Sequence, residues 1–155
     1  MKCYNTPMAE RPRKVIKRPG EILESIFAGH ARALLHGSEN AKRYLSSYLE
    51  KSNSIPNAVK FFIYDLLAED AYQTNDIVLC RLAVEMAQEY LLAAQAENNR
   101  RLSAYLPELR FVERGISIMV DSGEFEAAIA FCDRAIEIGL GKAYTAKKAS
   151  IEKML

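Results

Sequence analysis

Apolar residues recur at spacings of three and four along most of the chain, the period of a helix with one buried stripe. Ile22, Leu23, Ile26, Phe27, Ala31 and Leu34 form the first such stripe. They predict a helix over residues 21–36, which Gly37 stops. Glu21 and Glu24 near its start and His36 at its end complement the helix dipole. Ser38 can cap a second helix reaching about Ser52, with Ala41, Tyr44, Leu45, Tyr48 and Leu49 on its stripe. Pro56 fits the first turn of a third helix that ends near Tyr72. Val59, Phe62, Ile63, Leu66 and Leu67 are its stripe, and Phe61 and Tyr64 widen it. A helix apolar on most sides is expected at the centre, packed on two neighbours.

Thr74, Asn75 or Asp76 caps a fourth helix, which runs to about Glu97. Leu79, Leu82, Ala83, Met86, Ala87, Tyr90, Leu91 and Ala94 give it a long, alanine-rich stripe. Leu102 to Leu106 reads as a short extra turn, and Pro107 opens a fifth helix. Gly123 ends that helix as a residue free to take positive φ. Phe125, Ala128, Ile129, Cys132, Ala135 and Ile136 stripe a sixth, terminated by Gly139 and Gly141. Residues 142–155 form a final helix with Ala143, Ala146, Ala149 and Ile151 inward and its lysines outward. Strict apolar alternation is absent, so the expectation is all-α, with about seven helices.

Residues 1–19 lack a periodic stripe and contain Pro7, Pro12 and Pro19, so they read as an extended arm. Residues 20–155 are then one helical domain. Net charge is +1, but it is unevenly spread. Residues 1–18 carry six basic residues against Glu10, and residues 141–155 carry four lysines against Glu152. The body between them is acidic. The arm's basic run offers Arg11, Arg13, Lys14, Lys17 and Arg18 as contacts for nucleic acid or another anion. No aromatic interleaves that run, so base stacking by it is unsupported and a solvated or self-docking tail ranks ahead. No apolar run is long enough for a bilayer, and no secretory signal is visible. Cys3, Cys80 and Cys132 are an odd set without C-x-x-C spacing. A cytoplasmic setting is expected, with Cys80 and Cys132 as small buried residues.

Catalytic and metal-binding patterns are missing. There is no phosphate-binding glycine loop, no G-x-S-x-G, no H-E-x-x-H and no E-x-x-H pair. His30 shares a face with Ile26 and Leu34 and reads as a hydrogen-bonded, half-buried histidine rather than a metal ligand. Asp65, Glu69 and Asp70 invite acid–base chemistry, but a solvated charged face is the expected role. No catalytic residue, cofactor or metal site is therefore assigned, and the chain reads as a non-enzyme.

Residues 121–140 carry the one resemblance. Gly123, then Phe125, Ala128, Cys132 and Ala135 follow the order of the second half of a tetratricopeptide repeat, a unit of about 34 residues. The preceding helix matches more loosely, with Val112, the inverted pair Gly115-Ile116, and Met119. Leu140 replaces the family's closing proline. An echo at Asn75-Asp76-Ile77, Cys80, Ala83 and Ala87 lies too far upstream for adjacent regular repeats. The resemblance implies stacked antiparallel helix hairpins, an irregular α-solenoid or right-handed multi-helix array, with residues 142–155 as its capping helix. It implies an adaptor that binds a peptide or helix of a partner protein in a groove. Arg110, Glu113, Ser117, Val120 and Asp121 occupy the groove-facing positions of the first helix in that pattern. Two other readings stand beside it: a nucleic-acid-associated regulator using the basic arm, and a self-associating structural subunit.

Overall fold

The computed structural model describes residues 18–155. Among these residues eight α-helices follow one another: α1 (Pro19–Leu34), α2 (Ser38–Lys51), α3 (Asn57–Gln73), α4 (Ile77–Glu97), α5 (Asn99–Tyr105), α6 (Phe111–Asp121), α7 (Phe125–Glu137) and α8 (Lys142–Glu152). A 3₁₀ turn, Leu106–Glu108, joins α5 to α6. No strand occurs among the described residues.

Helices adjacent in sequence pack as pairs: α1 on α2, α3 on α4, and α6 on α7. The pairs join because α3 packs on both α1 and α2, and α6 packs on both α3 and α4. The final helix, α8, lies on α7. Helix α3 thus touches four others, which explains why it is apolar nearly all round: Val59, Phe61, Phe62, Ile63, Leu67 and Ala68 are all buried. An unbroken aromatic chain crosses the array. Phe27, Phe62, Phe61, Phe111 and Phe131 follow one another with ring centroids 6.1, 5.2, 5.6 and 6.4 Å apart. All four contacts are edge-on, the geometry the ring quadrupole favours.

Gly123 closes the α6–α7 hairpin. Its φ is +75°, its N–H donates to Val120 O at 3.0 Å, and the Glu124 N–H donates to Met119 O at 2.7 Å. These two bonds satisfy carbonyls that the end of α6 would leave orphaned. The α3–α4 turn has the same construction. Asn75 takes φ +57°, its N–H donates to Tyr72 O at 3.1 Å, and the Asp76 N–H donates to Ala71 O at 2.8 Å. The upstream echo in the sequence is therefore a second copy of this turn. The extra length between the two copies lies in α4, with 21 residues against 13 in α7, and in α5 with its 3₁₀ turn. Asp76 is the residue that caps α4, accepting from the Leu79 N–H at 3.2 Å. The turns are tied laterally by ion pairs. Lys42 on α2 reaches Asp76 at 3.4 Å, and Arg81 on α4 reaches Glu124 at 2.7 Å.

Two glycines permit close approach. A Cβ on Gly29 would lie 2.1 Å from the Tyr44 hydroxyl, and one on Gly115 would lie 2.9 Å from Val84 Cγ1. The small residue that α6 needs against α4 and α7 is thus Gly115, while Ile116 is buried as a core residue.

Several local expectations are corrected. Ser38 is the first residue of α2 and Gly37 is its cap, with φ +105° and no side-chain bond. Pro107 lies within the 3₁₀ turn rather than opening the fifth long helix, which starts four residues later at Phe111. On α8 Ile151 is buried as expected, but its inward companion is Tyr144, with Lys147 and Lys148 half-buried, whereas Ala143, Ala146 and Ala149 are exposed. The reason lies in side-chain size: Tyr144 and Ile151 have far more apolar area to cover than an alanine. Leu34, Leu82 and Ile136 stand at the edges of their stripes and are exposed; on α4 the buried set is Cys80, Ala83, Val84, Ala87, Leu91 and Ala94.

Candidate ligand groove

Three acids on α3 organise one side of the molecule. Spacings of four and five put Asp65, Glu69 and Asp70 on the part of α3 that faces α1 and α6. They are not a solvated face, as the sequence reading expected. Asp65 and Asp70 are buried, and the Glu69 side chain is only 20% exposed. Each acid has found donors on another helix.

Asp65 caps α6 from across the fold. Its Oδ1 accepts from the N–H groups of Arg110 and Phe111 at 2.9 and 2.8 Å, and its Oδ2 accepts from the Tyr105 hydroxyl at 2.8 Å. Those N–H groups open α6 and have no partner within the helix. This explains why α6 begins at Phe111: the helix starts where a remote carboxylate can cap it. Burial pushes Asp65 up to about 6 from 3.8, against the three hydrogen bonds and the Arg110 charge, which pull it down. Tyr105 is driven well above the usual phenol range by burial and by the Asp65 charge.

Glu69 is held by the Arg114 guanidinium in a two-pronged pair, both bonds at 3.0 Å. Gln73 donates to it at 2.6 Å, and Arg110 Nε stands 3.6 Å away. Burial alone would raise Glu69, but the hydrogen bonds from Arg114 and Gln73 and the two arginine charges hold it below its usual range. Arg114 also lies over the Tyr72 ring, 4.2 Å from its centroid. Asp70 pairs with His30 of α1, whose Nε2 lies 2.7 Å from Asp70 Oδ2. His30 is hydrogen-bonded, as its helix face led one to expect, but buried rather than half-buried; its partner was not identified from the sequence.

Two grooves flank the Arg114–Glu69 pair. The first, of about 580 Å³, lies between α1, α3 and the α5–α6 connection, with Phe27, His30, Leu34, Leu66, Tyr105 and Arg110 among its walls. The second, of about 310 Å³, lies between α3, α6 and α8, with Tyr72, Ile116, Val120, Ile151 and Met154 as its apolar part. The candidate partner residues divide between them. Arg110 lines the first, while Ser117, Val120 and Asp121 line the second. Glu113 lines neither; it lies towards α8, where its charge raises Tyr144, a phenol already raised by burial.

Of the basic arm, Arg11, Arg13, Lys14 and Lys17 lie outside the described residues; Arg18 is exposed at the start of α1. On α8, Lys148 pairs with Asp133 at 2.8 Å. Cys80 and Cys132 are buried free thiols, and Cys80 donates to Ala68 O at 3.4 Å. Burial pushes the Cys80 thiol up to about 11. Among the described residues no group of three His, Cys, Asp or Glu side chains could hold a metal ion. No described helix is long and apolar enough to cross a membrane.

Sequence reasoning singled out Asp65 and Asp70 but gave them to a solvated face, and it missed their pairing with Tyr105, the first N–H groups of α6 and His30. One signal was available. Three acids on a helix that is apolar on most sides cannot all reach water if that helix is central, so some of them need internal donors. Compared with protein-family models, curated proteins and solved structures, the chain matches none.

Proposed function

We propose that this chain is a tetratricopeptide-like interaction module that binds a peptide or helix of a partner protein. The observation that supports it is the composition of one face. The first helix of each packed pair, α1, α3 and α6, contributes to the two grooves, and α8 closes the second. The grooves combine apolar walls with a few polar side chains, the usual make-up of a recognition site. The recurring αL turns at Asn75 and Gly123 and the lateral ion pairs accord with stacked hairpins of unequal length. In such an array Ser117, Val120, Asp121 and Arg110 present the contact surface.

The test is a peptide-display selection against the folded chain, followed by NMR mapping of a selected peptide. The expected perturbations fall on α1, α3, α6 and α8. Arg110→Ala or Val120→Asp should weaken binding about tenfold or more, the cost of a hot-spot contact, without loss of helicity. Peptides that perturb only α2, α4 and α7, and bind both variants as tightly as the original chain, would overturn the proposal.

A further inference from the structure

The first groove contains a hydrogen-bonding position that the chain leaves unfilled. His30 is only 8% exposed, and its Nε2 is committed to Asp70. Its other ring nitrogen, Nδ1, has no partner among the described residues, yet no buried side-chain nitrogen or oxygen there is unpartnered. Nδ1 therefore has access to open space, and the cavity His30 lines is the first groove. With Nε2–H donating to Asp70, the neutral ring keeps a lone pair on Nδ1.

The charged side chains deepest around this nitrogen already hold hydrogen bonds or ion pairs within the chain. Glu69 is bound by Arg114 and Gln73, Asp70 by His30, and Arg110 stands 3.6 Å from Glu69. Tyr105 gives its hydroxyl to Asp65, so only its ring faces the groove. Glu108 is exposed where the 3₁₀ turn meets the groove. An anionic occupant finds no unpaired cation beside His30, and Asp70, which a neutral His30 hydrogen-bonds without cancelling its charge, is only 2% exposed to a cationic one. The remaining walls are Phe27, stacked on Tyr105 at 5.7 Å, with Leu34 and Leu66. We propose that this groove receives an aromatic side chain of the partner segment that carries its own donor, tyrosine or tryptophan, with its O–H or N–H bonded to His30 Nδ1. The volume admits one such ring with flanking backbone. The assignment rests on the proposed function for the existence of a partner at this face.

Phenol and anisole separate the two claims. They share a ring, but only phenol can donate. At pH 8, with the full chain, phenol should move the ¹⁵N resonance of His30 Nδ1 and bind about fivefold more tightly than anisole, the worth of one neutral hydrogen bond. Anisole should perturb Phe27 and Leu66 and leave that nitrogen in place. Equal affinity for both, with Nδ1 unmoved, overturns the role of His30 and the choice of a donor-bearing ring, while the partner groove stands. Failure of both probes to perturb α1 and α3 overturns the aromatic occupant, and the peptide mapping then decides the face by itself.

Discussion

Replacing Asp65 separates two effects of opposite sign. The carboxylate stabilises the start of α6 by accepting from Arg110, Phe111 and Tyr105, but as a charge it is fully buried. Asp65→Ala removes the acceptors. The Phe111 N–H and the Tyr105 hydroxyl are then left buried, each at about 1–3 kcal/mol, while the partly exposed Arg110 N–H can turn to water. At pH 4, where Asp65 is protonated and no buried charge is relieved, a loss of about 2–6 kcal/mol follows, a large share of the stability of a typical domain. At a size of 155 residues that lowers Tm by roughly 4–24 °C. Asp65→Asn keeps an acceptor for both backbone N–H groups. Its amide faces Tyr105, whose hydroxyl can rotate to accept instead of donate. The capping bonds therefore persist while the buried charge is gone.

The pH dependence distinguishes these cases. The folded chain holds the Asp65 proton up to about pH 6, whereas an unperturbed aspartate releases it near 3.8. The Asp65 contribution to stability therefore falls as pH rises between about 4 and 6 and is level above that. The difference in proton affinity corresponds to about 3 kcal/mol, at 1.36 kcal/mol per pH unit. Asp65→Asn lacks this slope, so it gains on the original chain by up to that amount by pH 7. Urea unfolding at pH 4, 5, 6 and 7 of the three proteins measures all of this. If the alanine variant is as stable as the asparagine variant, the remote cap does not hold α6. If the gap between asparagine and aspartate does not widen from pH 4 to pH 7, burial is not what sets the Asp65 proton.

Three further outcomes follow from the packing and the turns. Gly115→Ala drives a methyl to 2.9 Å from the buried Val84, which costs about 1–3 kcal/mol; Val84→Ala in the same chain should return part of it in thermal unfolding. Gly123→Ala meets no neighbour, so its cost is only the positive φ, about 1–2 kcal/mol, and Asn75→Gly should be neutral or slightly stabilising; an equal loss from both would argue against matching turns. Arg81→Ala breaks an exposed pair with Glu124 and should cost less than about 1 kcal/mol, with the difference shrinking in high salt.

How much of this was legible in the sequence depends on how far apart the interacting residues lie. Periodicity located every long helix, because a stripe and its helix are the same few residues. Gly123 was legible as a turn for the same reason. Tyr72, Asn75 and Asp76 make an equal turn, but asparagine is a weaker marker of positive φ than glycine, and the longer α4 disguised the recurrence. The final helix was placed correctly and its face only partly: Ile151 was assigned inward and is buried, but the alanines were given the place that Tyr144 takes. The short α5 carries no stripe longer than a turn, and only part of it was anticipated.

The acids of α3 mark where such reading stops, and they show why the groove lies where it does. Asp65 meets its donors 40 to 46 residues away, and Asp70 meets His30 across 40. No local spacing encodes such pairs; they exist only once α1, α3 and α6 have been brought together. The inference that was open runs in the other direction. A central helix leaves no water for its charges, so each must be matched by a neighbour, and each match fixes a helix. Here the matches fix α1 through His30 and α6 through its first N–H groups and Arg114. The first groove is the space left between the helices so positioned, and His30, whose Nδ1 has no partner among the described residues, lines it.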